Sequence, residues 1–279
     1  MTSTNLSRND TTQIILAPNM TRVDNHSHIL HADIMEMLAA AKGKNVREYS
    51  ITEHVSQFRK LRESVRFRSV HSTGRIFNDL REYNDEFTKA DEHSEWDMKI
   101  NRGLEVDFSP RYETQVGDFV NQKKWDILLC SVHELDDGTD IEGTLGRAVD
   151  PISGHKRWRE YLKLEQMALE SDFVPFKVLA HPIRMARGKV NVPPEIDDLL
   201  LELSRTARRR NKALELNGND IDYASELVRS LASACSEAGC RVSLGSDAHR
   251  PRDVFRNMEV ALDLVEEFKL KVLTLNASP

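Results

Sequence analysis

Val23-Asp24-Asn25-His26-Ser27-His28 reads as the end of a first β-strand that delivers two imidazoles side by side. Residues i and i+2 of an extended strand face the same side, so His26 and His28 can grip one metal ion together. A lone His-x-His carries little weight. What gives it weight is recurrence: His54, Glu105, His133, His181 and the pair Asp247/His249 each follow a short apolar run, as if strand after strand ended in a ligand.

Outward from that stretch, strand-like and helix-like segments alternate to the end of the chain. Ile34, Met37, Leu38 and Ala41 recur at helical spacing, with Gly43 as the expected stop. Residues 48–52 form an expected second strand ending at Glu53-His54. A polar segment, residues 56–72, follows. It carries Arg59, Arg62, Arg66 and Arg68 and is a candidate lid; a helical stretch around Ile76, Leu80, Tyr83 and Phe87 comes after it. Strands are expected at 100–105, 126–131, 176–180, 213–216 and 242–245, and the turn-rich loop 136–151 is expected to be mobile. Helices are expected through Trp158, Tyr161, Leu162 and Met167, through Ile196, Leu199, Leu200, Leu203 and Ala207 after Pro193-Pro194, from Ala224 to Gly239, and from Val254 to Val265. Residues 270–275 offer a terminal strand.

Repeated β-then-α units imply a parallel sheet with right-handed crossovers, and seven or eight of them suggest a closed α/β barrel related to the TIM barrel. A doubly wound open sheet is the rival. Candidate ligands after nearly every strand can converge only if the strand ends form a ring, which favours the barrel and places the chemistry at its carboxyl-end face. The sixth strand is the exception, offering Glu215 and Asn217 but no histidine. With no long interior linker or repeat, residues 20–279 are expected to form one domain behind a loosely held arm, residues 1–19.

Composition narrows the classes. The 279 residues are 39% hydrophobic and 30% charged, as in ordinary globular chains, and the formal charge of −6 gives no general attraction to nucleic acid or anionic membranes. Cys130, Cys235 and Cys240 show no CxxC spacing, so a reducing cytoplasm is the natural home. Ile14-Ile15-Leu16, the one apolar run in the first twenty residues, is far too short for a signal-peptide core or a membrane span. Nothing here speaks to oligomeric state. Six of the ten histidines and two acids lie at strand ends, whereas His71, His93 and His155 fall in polar or helical segments. Imidazole with carboxylate suits Zn, Fe or Mn, and the absence of cysteine from these positions disfavours a closed structural zinc site.

Asp24-x-His26-x-His28, Thr52-Glu53-His54, Gly103-Leu104-Glu105-Val106-Asp107, Ser131-Val132-His133, Ala180-His181-Pro182 and Gly245-Ser246-Asp247-Ala248-His249 resemble, in order, the successive motifs of the PHP (polymerase and histidinol phosphatase) superfamily. The resemblance implies a distorted seven-stranded (β/α) barrel with two or three divalent ions (Zn, Mn or Fe). It casts His26, His28, Glu105 and Asp247 around one ion, Glu105 and His133 at a second with His181 nearby, and His54 and His249 at a third. Within the superfamily, Gly-Leu-Glu-Val-Asp-Phe and Ser-Val-His-Glu-Leu-Asp-Asp-Gly are similar to histidinol-phosphate phosphatases. Two departures stand out. His31 and Asp33 are out of step with the further ligand that many relatives carry after His-x-His, and Pro182-Ile183-Arg184 stands where those phosphatases tend to place an acid.

The resemblance therefore implies a metal-dependent phosphoric monoester hydrolase. A metal-bound hydroxide held by Glu105 and Asp247 would attack a small phosphorylated metabolite, with histidinol phosphate the first compound to test. Arg184 and Arg250, beside ligand motifs, are the candidate phosphate contacts. Alternatives are a nucleotide phosphatase or nuclease of the same type, which the acidic chain disfavours; an amidohydrolase-type hydrolase, whose last strand typically ends in an isolated aspartate; and a non-catalytic module, whose mark would be lost ligands.

Overall fold

The computed structural model describes residues 22–67, 73–92, 96–142 and 150–275. The N-terminal arm, Arg68, His71, His93 and residues 143–149 of the turn-rich loop lie outside the described residues. Eight strands form one parallel sheet in sequence order: β1 (Val23–Asp24), β2 (Glu48–His54), β3 (Lys99–Asp107), β4 (Ile127–Ser131), β5 (Val178–Leu179), β6 (Ala213–Asn217), β7 (Arg241–Gly245) and β8 (Lys271–Val272). Eight α-helices accompany them among the described residues: α1 (Ile34–Gly43), α2 (Arg59–Ser64), α3 (Leu80–Glu92), α4 (Glu113–Val120), α5 (Pro151–Glu170), α6 (Ile196–Arg209), α7 (Gly218–Ala238) and α8 (Met258–Glu267).

The sheet curls until its ends meet. Beyond β1 and β7 the chain is joined by Asn25 N–H to Leu244 O (2.8 Å), Asp247 N–H to His26 O (2.9 Å) and His28 N–H to Ala248 O (2.8 Å). Buried Asp24 reinforces this seam, accepting from Ser246 N and Oγ (2.8 and 2.7 Å) and Phe255 N (3.0 Å). Seven strands thus ring the carboxyl end. The eighth pairs only with the start of β7, at Arg241↔Lys271 and Val242↔Val272, and closes the opposite end. There Leu273 packs with Ile127, Leu129, Val178, Ala180 and Ala213, and Leu275 N–H reaches the buried Glu48 carboxylate at 2.9 Å.

Local chemistry explains most boundaries. Asp33 caps α1 in a reciprocal box with Glu36, and the left-handed residue after that helix is Asn45 (φ 57°); Gly43, the expected stop, is its last helical residue. Gly239 (φ 64°) ends α7 as expected. The arginine-rich segment is anchored rather than free through residue 65: Phe58, Leu61 and Val65 are buried, and Arg62 binds Ser56 O and Gln57. Ile76 lies outside α3 and is 39% exposed. α4, absent from the sequence reading, buries Val116, Phe119 and Val120 at helical spacing. No helix among the described residues is long and apolar enough to cross a membrane.

Candidate metal centre

Register brings the strand-end residues together. β2 and β3 pair from Glu48↔Lys99 to His54↔Glu105, so His54 stands beside Glu105 at the rim. The segment after β1 supplies His26 and His28, the segment after β4 supplies His133, and the turns after β5 and β7 supply His181 and Asp247. Both turn residues have left-handed backbones, φ 34° and 55°, a conformation that costs a non-glycine residue energy and is held by the surrounding fold.

Glu105, fully buried, is the hub. Oε2 lies 2.8 Å from His54 Nδ1, 3.2 Å from His26 Nε2 and 3.5 Å from His28 Nε2; Oε1 lies 2.9 Å from His181 Nε2 and 3.2 Å from His133 Nε2. Asp247 Oδ1 sits 3.3 Å from His28 Nε2 and 3.7 Å from His26 Nε2, and His249 Nε2 is 3.5 Å from His54 Nε2. All eight expected ligands are thereby assembled. Three groups have donor atoms close enough to share an ion: His26, His28 and Asp247; His54, Glu105 and His133; and His28, His54 and His249.

Behind the imidazoles lies a ring of carboxylates that the sequence reading did not assign. Glu215 Oε1 faces His26 Nδ1 at 2.9 Å, Glu53 Oε1 faces His28 Nδ1 at 3.3 Å and Asp107 Oδ1 faces His133 Nδ1 at 2.6 Å. Each leaves the other ring nitrogen aimed inward, the arrangement that fixes tautomer and orientation in metal sites. Two of them carried a signal. Asp107 is two residues after Glu105 on one strand and so shares its face, and Glu215 fills the one strand end without a histidine.

The electrostatics fit cations at the centre. Despite burial, His54, His26 and His133 hold Glu105 well below the usual carboxylate range, and Arg184, His26 and His28 do the same for Asp247. Burial opposes charge on His26 too, yet Glu215, Glu105 and Asp247 raise it well above an ordinary histidine, and Asp107 and Glu105 do so for His133. His181 is pulled down by burial and by Arg184. Five ring nitrogens crowd two carboxylate oxygens, and neither nitrogen of buried His28 has an aligned hydrogen bond among the described residues. Protons on all five rings would pack like charges in a dry site; divalent ions between rings and carboxylates satisfy the same donors without that repulsion.

Above the cluster opens a cleft of about 290 Å³, whose walls include His31, Arg184, Arg187 and Arg250. Asp33 caps α1 instead of joining them. Arg184 is only 2% exposed, with Nη2 2.5 Å from Asp247 Oδ2, Nε 2.9 Å from Asp220 Oδ1 and Nη1 3.2 Å from Glu142 Oε1. Arg250 is exposed at the mouth. A larger cavity, about 550 Å³, lies on the outside between α2, α3 and α4, away from the cluster.

A parallel α/β barrel whose carboxyl end gathers six imidazoles and two carboxylates has the build of a metal-dependent hydrolase. The chain belongs to the PHP domain family, whose profile matches residues 12–219. The histidinol-phosphatase of Lactococcus lactis subsp. lactis (strain IL1403) is 24% identical over 265 residues, covering 89% of this chain and 91% of the relative. The crystal structure of the histidinol phosphate phosphatase of that organism, complexed with Zn, L-histidinol and phosphate, superposes with a TM-score of 0.74 at 20% identity over 91% of this chain and 95% of the other. That likeness establishes the fold: a PHP barrel, here with an eighth strand closing the amino end.

Proposed function

We propose that this protein is a metal-dependent phosphatase that hydrolyses a small phosphate monoester. The convergence of five imidazole nitrogens on Glu105 carries the reading, supported by the relatives above. Two or three divalent ions, Zn being the one bound in the Lactococcus structure, would be held by His26, His28, His54, Glu105, His133, His181, Asp247 and His249. Bound there, such ions supply Lewis acidity and lower the pKa of a coordinated water toward neutrality.

The chain's own residues do the rest. Asp247, which lines the cleft, and Glu105, buried among the histidines, keep unprotonated oxygens, because the histidines around both and Arg184 beside Asp247 suppress protonation. Glu53, Glu215 and Asp107 hold three rings in position from behind. Arg184 anchors Asp247, and Arg250 stands exposed at the mouth, where an anionic substrate enters. A cleft of about 290 Å³ suits a metabolite, and histidinol phosphate, named by the relatives, heads the compounds to try.

The test is a panel of phosphate monoesters offered to purified protein supplied separately with Mn, Zn or Fe. Hydrolysis with at least one metal, abolished by chelation, is expected. Metal-loaded protein that releases phosphate from no monoester would overturn the reading.

A further inference from the structure

The mouth of the cleft carries more positive charge than it neutralises. Of its arginines, Arg187 is spent on Glu142 (2.6 Å) and Arg256 on Asp253 (2.5 Å). Arg252 reaches only that same Asp253, at 3.8 Å, and Arg250 forms no ion pair among the described residues. These two guanidiniums flank Pro251, which opens a tight turn just after His249, so their backbone is set by the segment that delivers the last candidate ligand. Ions at the floor of the cleft would make the surplus larger. One phosphate placed on those ions would be matched by them, which leaves the two exposed arginines of the cleft wall for a second anion.

We propose that the preferred substrate is a phosphate monoester whose organic half bears a second anionic group, a carboxylate or another phosphate, received by Arg250 and Arg252. This rests on the phosphatase reading above and narrows it. A planar, doubly donating guanidinium favours such oxyanions, and one charge-assisted pair discriminates by about tenfold or more. It also sets this chain apart from a site suited to histidinol phosphate, whose organic half carries an amine and no acid.

O-phospho-L-serine and phosphoethanolamine differ by a single carboxylate and provide the measurement. With metal-loaded protein, kcat/KM for phosphoserine should exceed that for phosphoethanolamine by about tenfold, and histidinol phosphate should fall with the latter. The ratio should shrink toward unity in the Arg250→Gln/Arg252→Gln double variant and at high salt, while Arg205→Gln/Arg209→Gln, an equal charge change on α6, should leave it intact. Equal rates for the two esters, or a preference that survives the double substitution, would overturn this proposal and leave the phosphatase reading standing. Hydrolysis of neither these nor any other monoester would remove both.

Discussion

At the level of single residues, Glu105 differs from every other member of the cluster because two oxygens serve five rings. Replacing a histidine removes one donor; Glu105→Gln removes the charge between ions. Elemental analysis should therefore show a larger loss of bound metal in Glu105→Gln than in any single His→Ala variant, and equal losses would remove its status as hub. Arg184 has a different exposure to mutation. Its three carboxylate partners include Asp220, which burial pushes up to about 8 even beside the guanidinium. Arg184→Ala should cost roughly 3–5 kcal/mol in denaturant unfolding, as expected for breaking a buried pair, with Arg184→Lys in between. An Arg184→Ala protein as stable as wild type would show that water replaces the guanidinium without penalty. The eight residues that converge at the cluster could be picked out in sequence because strand ends and two-residue parity are local facts. The burial and pairing of Arg184 were not, since its partners lie 33 to 63 positions away and reach it only after folding.

At the level of elements, β6 and β7 must approach closely enough for Glu215 to stand behind His26, and Gly245 permits this. A Cβ there would lie 2.1 Å from Glu215 Oε1 and 2.4 Å from the His26 Cβ. Gly245→Ala should destabilise by roughly 1–3 kcal/mol, the usual cost of overpacking, and should weaken metal binding by moving both side chains. Calorimetry for stability and a metal titration check the two parts; an unchanged titration would mean that the strands relax without disturbing the ring. Most elements were readable from apolar periodicity. α4 escaped because its eight residues include Thr114, Val116 and Gly117, poor helix formers, although Val116, Phe119 and Val120 recur at the right spacing. β5 and β8 fall within the strands expected at 176–180 and 270–275, but each pairs over only two residues, a limit set by neighbouring strands that no local pattern reports.

For the whole molecule, protons and metal compete for one set of rings. Burial opposes charge on His28, but Asp247 and Glu53 raise it from 6.5 to about 9 in the metal-free protein. A group raised on folding stabilises fully below its unfolded pKa of 6.5 and loses that contribution as pH climbs through about 9. Metal needs the deprotonated ring, so its affinity rises over the same interval. The melting temperature of chelator-treated protein should fall between pH 6.5 and 9 relative to metal-supplied protein, with the gap widening; parallel curves would exclude proton–metal competition at this site. The seam that joins β1 to β7 adds a constraint in time. His26 and His28 leave the ribosome early, yet Asp247 and His249, which complete their surroundings, emerge more than two hundred residues later, and the first strand has no partner on its open side until then. A nascent chain can hold the early ligands only in an incomplete set, so the metal is expected to act as a late clasp, captured when the last strands dock. Chains released before that point would be left both open and metal-poor, easily told apart by proteases from finished ones.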